Sequence, residues 1–173
     1  VCTERGISRY RPATDDFVTY HDGTEHVLSL VETSQGRIIG GGDNLSVYDE
    51  QSDTFVQYTA LEIGFIVSMT ISPDDQLYVA SNTSIYSYDA TLTKITRLDP
   101  RYYEAFTTGI DGIIPMTFDH EGQLWLGRNG QGVMRIDLKS GLTRIYQPHE
   151  LSNGIVRAIT EDNDHNIWLG TEK

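Results

Sequence analysis

One short run recurs along this sequence and limits what it can fold into. Gly122-Gln123-Leu124-Trp125-Leu126-Gly127 returns as His165-Asn166-Ile167-Trp168-Leu169-Gly170. Weaker copies are Asp75-Gln76-Leu77-Tyr78-Val79-Ala80 and Gly36-Arg37-Ile38-Ile39-Gly40-Gly41. Their last residues fall at 41, 80, 127 and 170, so the steps are 39, 47 and 43 residues. A unit of this size cannot bury its apolar face alone and must stack on its neighbours, so the period signals a repeat architecture. Within each copy a turn residue precedes an alternating apolar and aromatic run that ends in a small residue. That is the pattern of a short strand entered from a tight turn, with a large ring packed between adjacent units.

The flanking residues complete the unit. Ile7-Ser8-Arg9-Tyr10-Arg11, Leu45-Ser46-Val47-Tyr48-Asp49, Ile85-Tyr86-Ser87-Tyr88-Asp89 and Val133-Met134-Arg135-Ile136-Asp137 align without gaps and read as a third strand. A turn-rich stretch then leads to a fourth strand around Tyr20, Tyr58, Leu98 and Tyr146. Ahead of each central run lie Val27–Val31, Ile66–Thr70, Ile113–Thr117 and Ile155–Ile159, apolar on both faces as a buried first strand should be. In this alignment Arg157 stands where the other first strands have Ser29, Ser68 and Pro115. Four short antiparallel strands in about 42 residues, with no helical period, describe a propeller blade. The expected fold is therefore all-β, a β-propeller fragment or small propeller of about four four-stranded blades. The boundaries are a half blade at 1–26, blades at 27–65, 66–112 and 113–154, and a half blade at 155–173. The two halves can pair and close a four-bladed ring, or they are edges of a larger propeller; the sequence leaves both open.

Composition narrows the partners. The net charge of −12 over 173 residues argues against nucleic acid and against an anionic membrane surface. Cys2 is the single cysteine, so no disulfide can form within the chain. No apolar run approaches the roughly 20 residues of a membrane helix. No signal-peptide pattern opens the sequence, which begins in what reads as mid-strand, so any targeting segment is expected to lie outside it.

The run Ile155 to Thr171, with Glu161-Asp162 ahead of Asn166-Ile167-Trp168-Leu169-Gly170-Thr171, resembles the two-component regulator propeller repeat. So does Leu124-Trp125-Leu126-Gly127 followed by Gly132-Val133-Met134-Arg135-Ile136-Asp137. The resemblance covers essentially the whole chain, being strong in the last two copies and degenerate in the first two. It implies the periplasmic sensor region of a hybrid two-component histidine kinase of Bacteroides-type bacteria, with polysaccharide breakdown products as the signal. The kinase and its phosphotransfer residues would lie elsewhere in such a protein.

Strand alternation puts the connections from second to third strand, and from fourth strand to the next blade, on one side. That side holds the longest loop, 99–112, where Arg101, Tyr102, Tyr103 and Phe106 can stack on a sugar or anchor a protein. The alternative is that the aromatic rings tuck down to cap the blade. Arg128 and Asn129 share the side, with Thr3-Glu4-Arg5, and suit hydroxyl or carboxylate groups. Arg157 suits an acidic sugar if it faces the central channel, or an ion pair with a carboxylate of a neighbouring blade. The candidate ligand-binding set is thus Arg101, Tyr102, Tyr103, Arg128, Asn129 and Arg157.

The opposite side collects acidic turns, among them Asp119, Asp162 and Asp164, which read as solvated. Asp162-Asn163-Asp164 lacks the Gly and the distant Glu of a calcium loop. Trp125, Trp168 and Tyr78 recur at one strand position and read as packing between blades. The five histidines, His21, His26, His120, His149 and His165, show no metal-ligand spacing, and no catalytic residue, metal or cofactor is expected. The reading is an extracytoplasmic, non-catalytic sensor of an oligosaccharide or other small ligand, packed against neighbouring blades or domains, with no nucleic-acid or membrane contact by this segment. Two others stay open: a propeller hydrolase or lyase using His21, His26 and His149 with Glu25, and an interaction scaffold that forms homodimers.

Overall fold

The computed structural model describes residues 2–3, 6–21, 26–58, 63–103, 114–128, 130–151 and 153–172. Its strands are β1 (Cys2–Thr3), β2 (Gly6–Arg11), β3 (Asp16–Tyr20), β4 (Ser29–Glu32), β5 (Ile38–Gly41), β6 (Leu45–Asp49), β7 (Thr54–Tyr58), β8 (Ile66–Ile71) and β9 (Leu77–Ser81). There follow β10 (Ile85–Tyr88), β11 (Ile95–Arg97), β12 (Met116–Phe118), β13 (Leu124–Arg128), β14 (Gly132–Ile136), β15 (Thr143–Tyr146), β16 (Val156–Glu161) and β17 (Ile167–Thr171). They pair antiparallel in chain order into three four-stranded sheets, β4–β7, β8–β11 and β12–β15, with the three-stranded β1–β3 before them and the two-stranded β16–β17 after. The first strands line up in succession, β4 against β8, β8 against β12, and β12 against β16. This is the all-β propeller architecture that the period predicts.

The turn before each central strand is built one way in every unit. Thr33, Ser72, Asp119 and Asp162 each donate a backbone N–H to the carbonyl four residues on, at 3.0, 2.9, 3.0 and 3.0 Å. Each also accepts, on its side-chain oxygen, the N–H of that same residue: Arg37, Gln76, Gln123 or Asn166, at 3.1, 3.0, 2.8 and 2.8 Å. The residue between must take a left-handed backbone, and it does at Gly36, Asp75, Gly122 and His165. In the last two units the Asp does a second job. Asp119 accepts the indole N–H of Trp125 at 2.7 Å, and Asp162 that of Trp168 at 2.6 Å.

The core lies between sheets. Ile39 and Leu45 of one blade meet Ile66, Met69, Leu77 and Val79 of the next; Val67, Ala80 and Ile85 in turn meet Met116, Leu124, Leu126 and Ile136. Each such aliphatic side chain, fully buried, is worth roughly 1.5–3 kcal/mol, so the blades hold one another rather than standing alone. The first two sheets are also joined by a polar clasp. The Arg9 guanidinium lies 5.3 Å from the ring centres of both Tyr20 and Tyr48, and donates to Tyr48 Oη at 2.6 Å. Asp53 accepts from both phenols, at 2.9 and 2.6 Å, and from Arg9 at 3.3 Å.

One feature bears on an alternative the sequence leaves open, and two others correct the sequence reading. The partial sheets at the two ends are separate: β1 is the neighbour of β2, through Cys2–Ile7 and Thr3–Gly6, and takes the edge that β17 would need for a joined blade. Trp125 is buried at 8% exposure and stacks on Tyr146, and Tyr78 meets Phe118 of the next blade edge-on. Trp168, the third of that row, is 63% exposed, because among the described residues no further sheet packs over β17. Lastly, Ala158 pairs with Gly170 as Ser68 pairs with Ala80 and Ser29 with Gly41. Arg157, like Val67, falls at a register shift, so the true counterpart of Ser29 and Ser68 is Ala158.

Candidate functional site

The side carrying loop 99–112 opens with a short 3-10 turn, Pro100–Tyr102. Pro100 fits its first position and Asp99 caps it by accepting the Arg101 N–H at 3.0 Å. Turning here drives the two tyrosines inward. Tyr102 and Tyr103 are 6% and 7% exposed and belong to the core between the second and third full blades. Their rings therefore cap the blade and are not offered to solvent. Arg101 stays outside. It lies 4.9 Å over the Tyr102 ring, donates to Tyr102 Oη at 2.8 Å and pairs with Asp99 at 3.3 Å. Arg97 lies 5.5 Å from the Tyr103 ring centre. Tyr103 Oη is buried and has no hydrogen-bond partner among the described residues. Phe106 lies outside the described residues, as do Glu4, Arg5, Glu25 and Asn129.

Arg128 ends β13 on the same side. It is 7% exposed, and its Nη2 donates to Gln131 Oε1 at 2.7 Å. Its Nε is buried and unpartnered among the described residues. Burial holds its pKa below the ordinary arginine value, since desolvation disfavours the cation. A buried guanidinium with a spare donor suits a carboxylate or a sugar hydroxyl. Arg157 is engaged differently: its Nε and Nη2 donate to Glu172 Oε1 at 3.0 and 2.5 Å. The ion-pair alternative holds, although the partner stands just beyond the paired strand β17 of the same sheet and not in a neighbouring blade. Of the six candidates the structure thus leaves Arg128 with a donor on the loop side, carries the Arg101 guanidinium down beside Gly141 in the turn between β14 and β15, at the other end of that sheet, and assigns Tyr102 and Tyr103 to packing.

The opposite side holds a group that the sequence reading missed. His120, Glu161 and His165 gather there, with ligating atoms all within 4.8 Å of one another. Their numbers show no metal-ligand spacing because His120 comes from one blade and the other two from the next. The signal available was the alignment itself, which puts the turns Asp119–Gly122 and Asp162–His165 at one height on adjacent units.

Comparison with known proteins places the chain. The two component regulator propeller family matches residues 150–173, the stretch that forms β16 and β17. Among curated proteins the sequence has no match. The extracellular domain of a hybrid two component system from B. thetaiotaomicron superposes with a TM-score of 0.74 at 18% identity, over 97% of this chain and 24% of that one. A second such domain from the same organism gives 0.63 at 17%, over 84% and 20%. Virginiamycin B lyase from Staphylococcus aureus gives 0.73 at 17%, over 97% of this chain and 57% of the enzyme. The chain thus spans about a quarter or less of the two-component domains and over half of the lyase. At these identities the likeness is one of fold. Residues 150–173 thus match the two component regulator propeller repeat, within an all-β propeller fold.

Proposed function

We propose that this chain is part of the extracytoplasmic, ligand-sensing propeller of a hybrid two-component histidine kinase, located in the periplasm. The observation that carries the reading is the family match at 150–173, where the turn and tryptophan pattern of the repeat is clearest. The ligand is an oligosaccharide or another small polar molecule bound without turnover on the side of loop 99–112. Arg128 contacts it, with Asn129 beside it. Tyr102 and Tyr103 hold the loop from beneath. Binding shifts the packing of this piece against neighbouring blades or domains, and that shift is the signal passed on. A thermal-shift screen of the full chain against neutral and acidic oligosaccharides tests this. A rise with one class, lost in R128A at unchanged molecular mass, is the expected result. No rise with any glycan would remove oligosaccharide sensing, and a rise that follows dimerisation would favour a scaffold. An enzyme is the second reading, favoured by the likeness of fold to virginiamycin B lyase. Turnover of lactones or cyclic esters by the chain would establish it.

A further inference from the structure

We propose that His120, Glu161 and His165 form a binding site for a divalent transition-metal ion of the Zn2+ class, which ties one blade to the next. The three side chains come from two sheets. His120 stands on the turn between β12 and β13, Glu161 ends β16, and His165 stands on the turn between β16 and β17. Both imidazoles direct Nδ1 to the same carboxylate oxygen, Glu161 Oε1, with His165 at 3.2 Å and His120 nearer. The rings stack face to face with centres 3.7 Å apart. Two imidazoles and a carboxylate with donor atoms within 4.8 Å of one another need only small rotations to surround one ion. Nitrogen and oxygen ligands of this kind favour Zn2+, Cu2+ or Ni2+ over Ca2+ or Mg2+. Three protein ligands leave a fourth position for water.

Two further features suit such a site. Glu161 is fixed from behind: its Oε2 accepts the backbone N–H of His120 at 2.8 Å, and its side chain is 16% exposed. That contact aims Oε1 at the rings, the orienting role that outer groups play around bound metals. His165 also occupies the left-handed turn position, φ 66°, filled by Gly36 and Gly122 in two of the other units. A turn that needs only left-handed backbone is better served by glycine, so the imidazole is there at a conformational cost. The rings remain half exposed, at 44% and 57%, and open to an ion from solvent. The strongly negative chain raises the local cation concentration around them.

Calorimetric titration of the full chain, free of added histidines, with Zn2+ alone tests the site, alongside the melting temperature with and without the ion. One equivalent is expected to bind and to raise the melting temperature of the parent chain. His165→Gly provides the decisive variant, because glycine suits the backbone there and the chain should fold at least as well. Losing a direct ligand should weaken binding by at least the roughly 10–100-fold that losing an outer orienting group costs. Glu161→Gln should do the same. No saturable binding to the parent chain overturns the proposal. So does binding of undiminished strength in both variants, since the ion would then be held elsewhere, for example by His21, His26 or His149. The sensor reading is untouched by either result.

Discussion

Asp53 is the residue on which the join between the first two sheets turns. It takes three donors, two phenols and a guanidinium, on a single oxygen. The Tyr48 and Tyr20 phenols, in that order, hold its carboxyl below the ordinary aspartate value. Burial, helped by the bond to Asp53, pushes the Tyr20 phenol well up. Nearby Asp16, paired bidentately with Arg11 and bonded by Thr14, is lowered to about 2. A carboxyl lowered on folding adds stability above its unfolded value, roughly pH 3.9, and loses it as pH falls towards the folded value. The melting temperature should therefore drop steeply from about pH 4 towards pH 2 in the parent chain. Asp53→Asn, which keeps a residue tolerant of the left-handed backbone there (φ 48°), should start lower and drop less. Parallel pH profiles for the two proteins would show that the clasp does not act through the charge. None of this network was legible in the sequence. Arg9, Tyr20, Tyr48 and Asp53 sit on strands and turns assigned correctly, but only the angle between adjacent blades brings them to one point.

At the scale of the strand, the small residue that ends each central run has a measurable reason. A methyl group added at Gly127 would come within 2.5 Å of the Pro115 ring and 3.4 Å of Val156 in the next sheet. At Gly41 it would meet Ile66 and Met69 of the next blade at 2.8 Å. At Gly170 the nearest atom is Ala158 Cβ at 3.4 Å. Overpacking an inner position costs about 1–3 kcal/mol, whereas an open strand position changes stability by about 0.5 kcal/mol or less. Gly127→Ala should thus lower the unfolding free energy by the larger amount and Gly170→Ala by the smaller, as read from denaturant midpoints at unchanged m-value. Equal losses would mean that the small residue serves the strand itself and not its neighbour. The repeat, the turns and the strand order were all legible because each is local: a left-handed residue, a side-chain cap and a two-residue alternation. What crosses from blade to blade was not. The counterpart of Ser68 was legible too, since Ser29, Ser68, Pro115 and Ala158 each stand twelve residues before the small residue that ends the central run, but the inward fold of Tyr102 and Tyr103 was not, because it depends on a cleft formed by other blades.

Across the whole molecule, each sheet is stabilised by the sheets it touches, so the blades are unequal. The β8–β11 blade has apolar partners on both sides, whereas β16–β17 is packed through Trp125, Val133 and Val156 on one side. The two tryptophans report this difference directly. Trp125 is 8% exposed, stacked 5.5 Å from Tyr146, with its N–H held by Asp119. Trp168 occupies the same place in its own sheet and makes the same bond to Asp162, yet is 63% exposed. Trp125→Phe should leave a red-shifted emission readily quenched by acrylamide, and Trp168→Phe a blue-shifted emission that resists it. If nearest-neighbour contact governs stability, the amides of β16 and β17 should also exchange before those of β8 and β9. Shielded Trp168 emission in the free chain, with β16–β17 protected as well as β8–β9, would mean that another surface covers this sheet in solution. It would be a second copy of the chain if the shielding fades on dilution, and a part of the same chain if it does not.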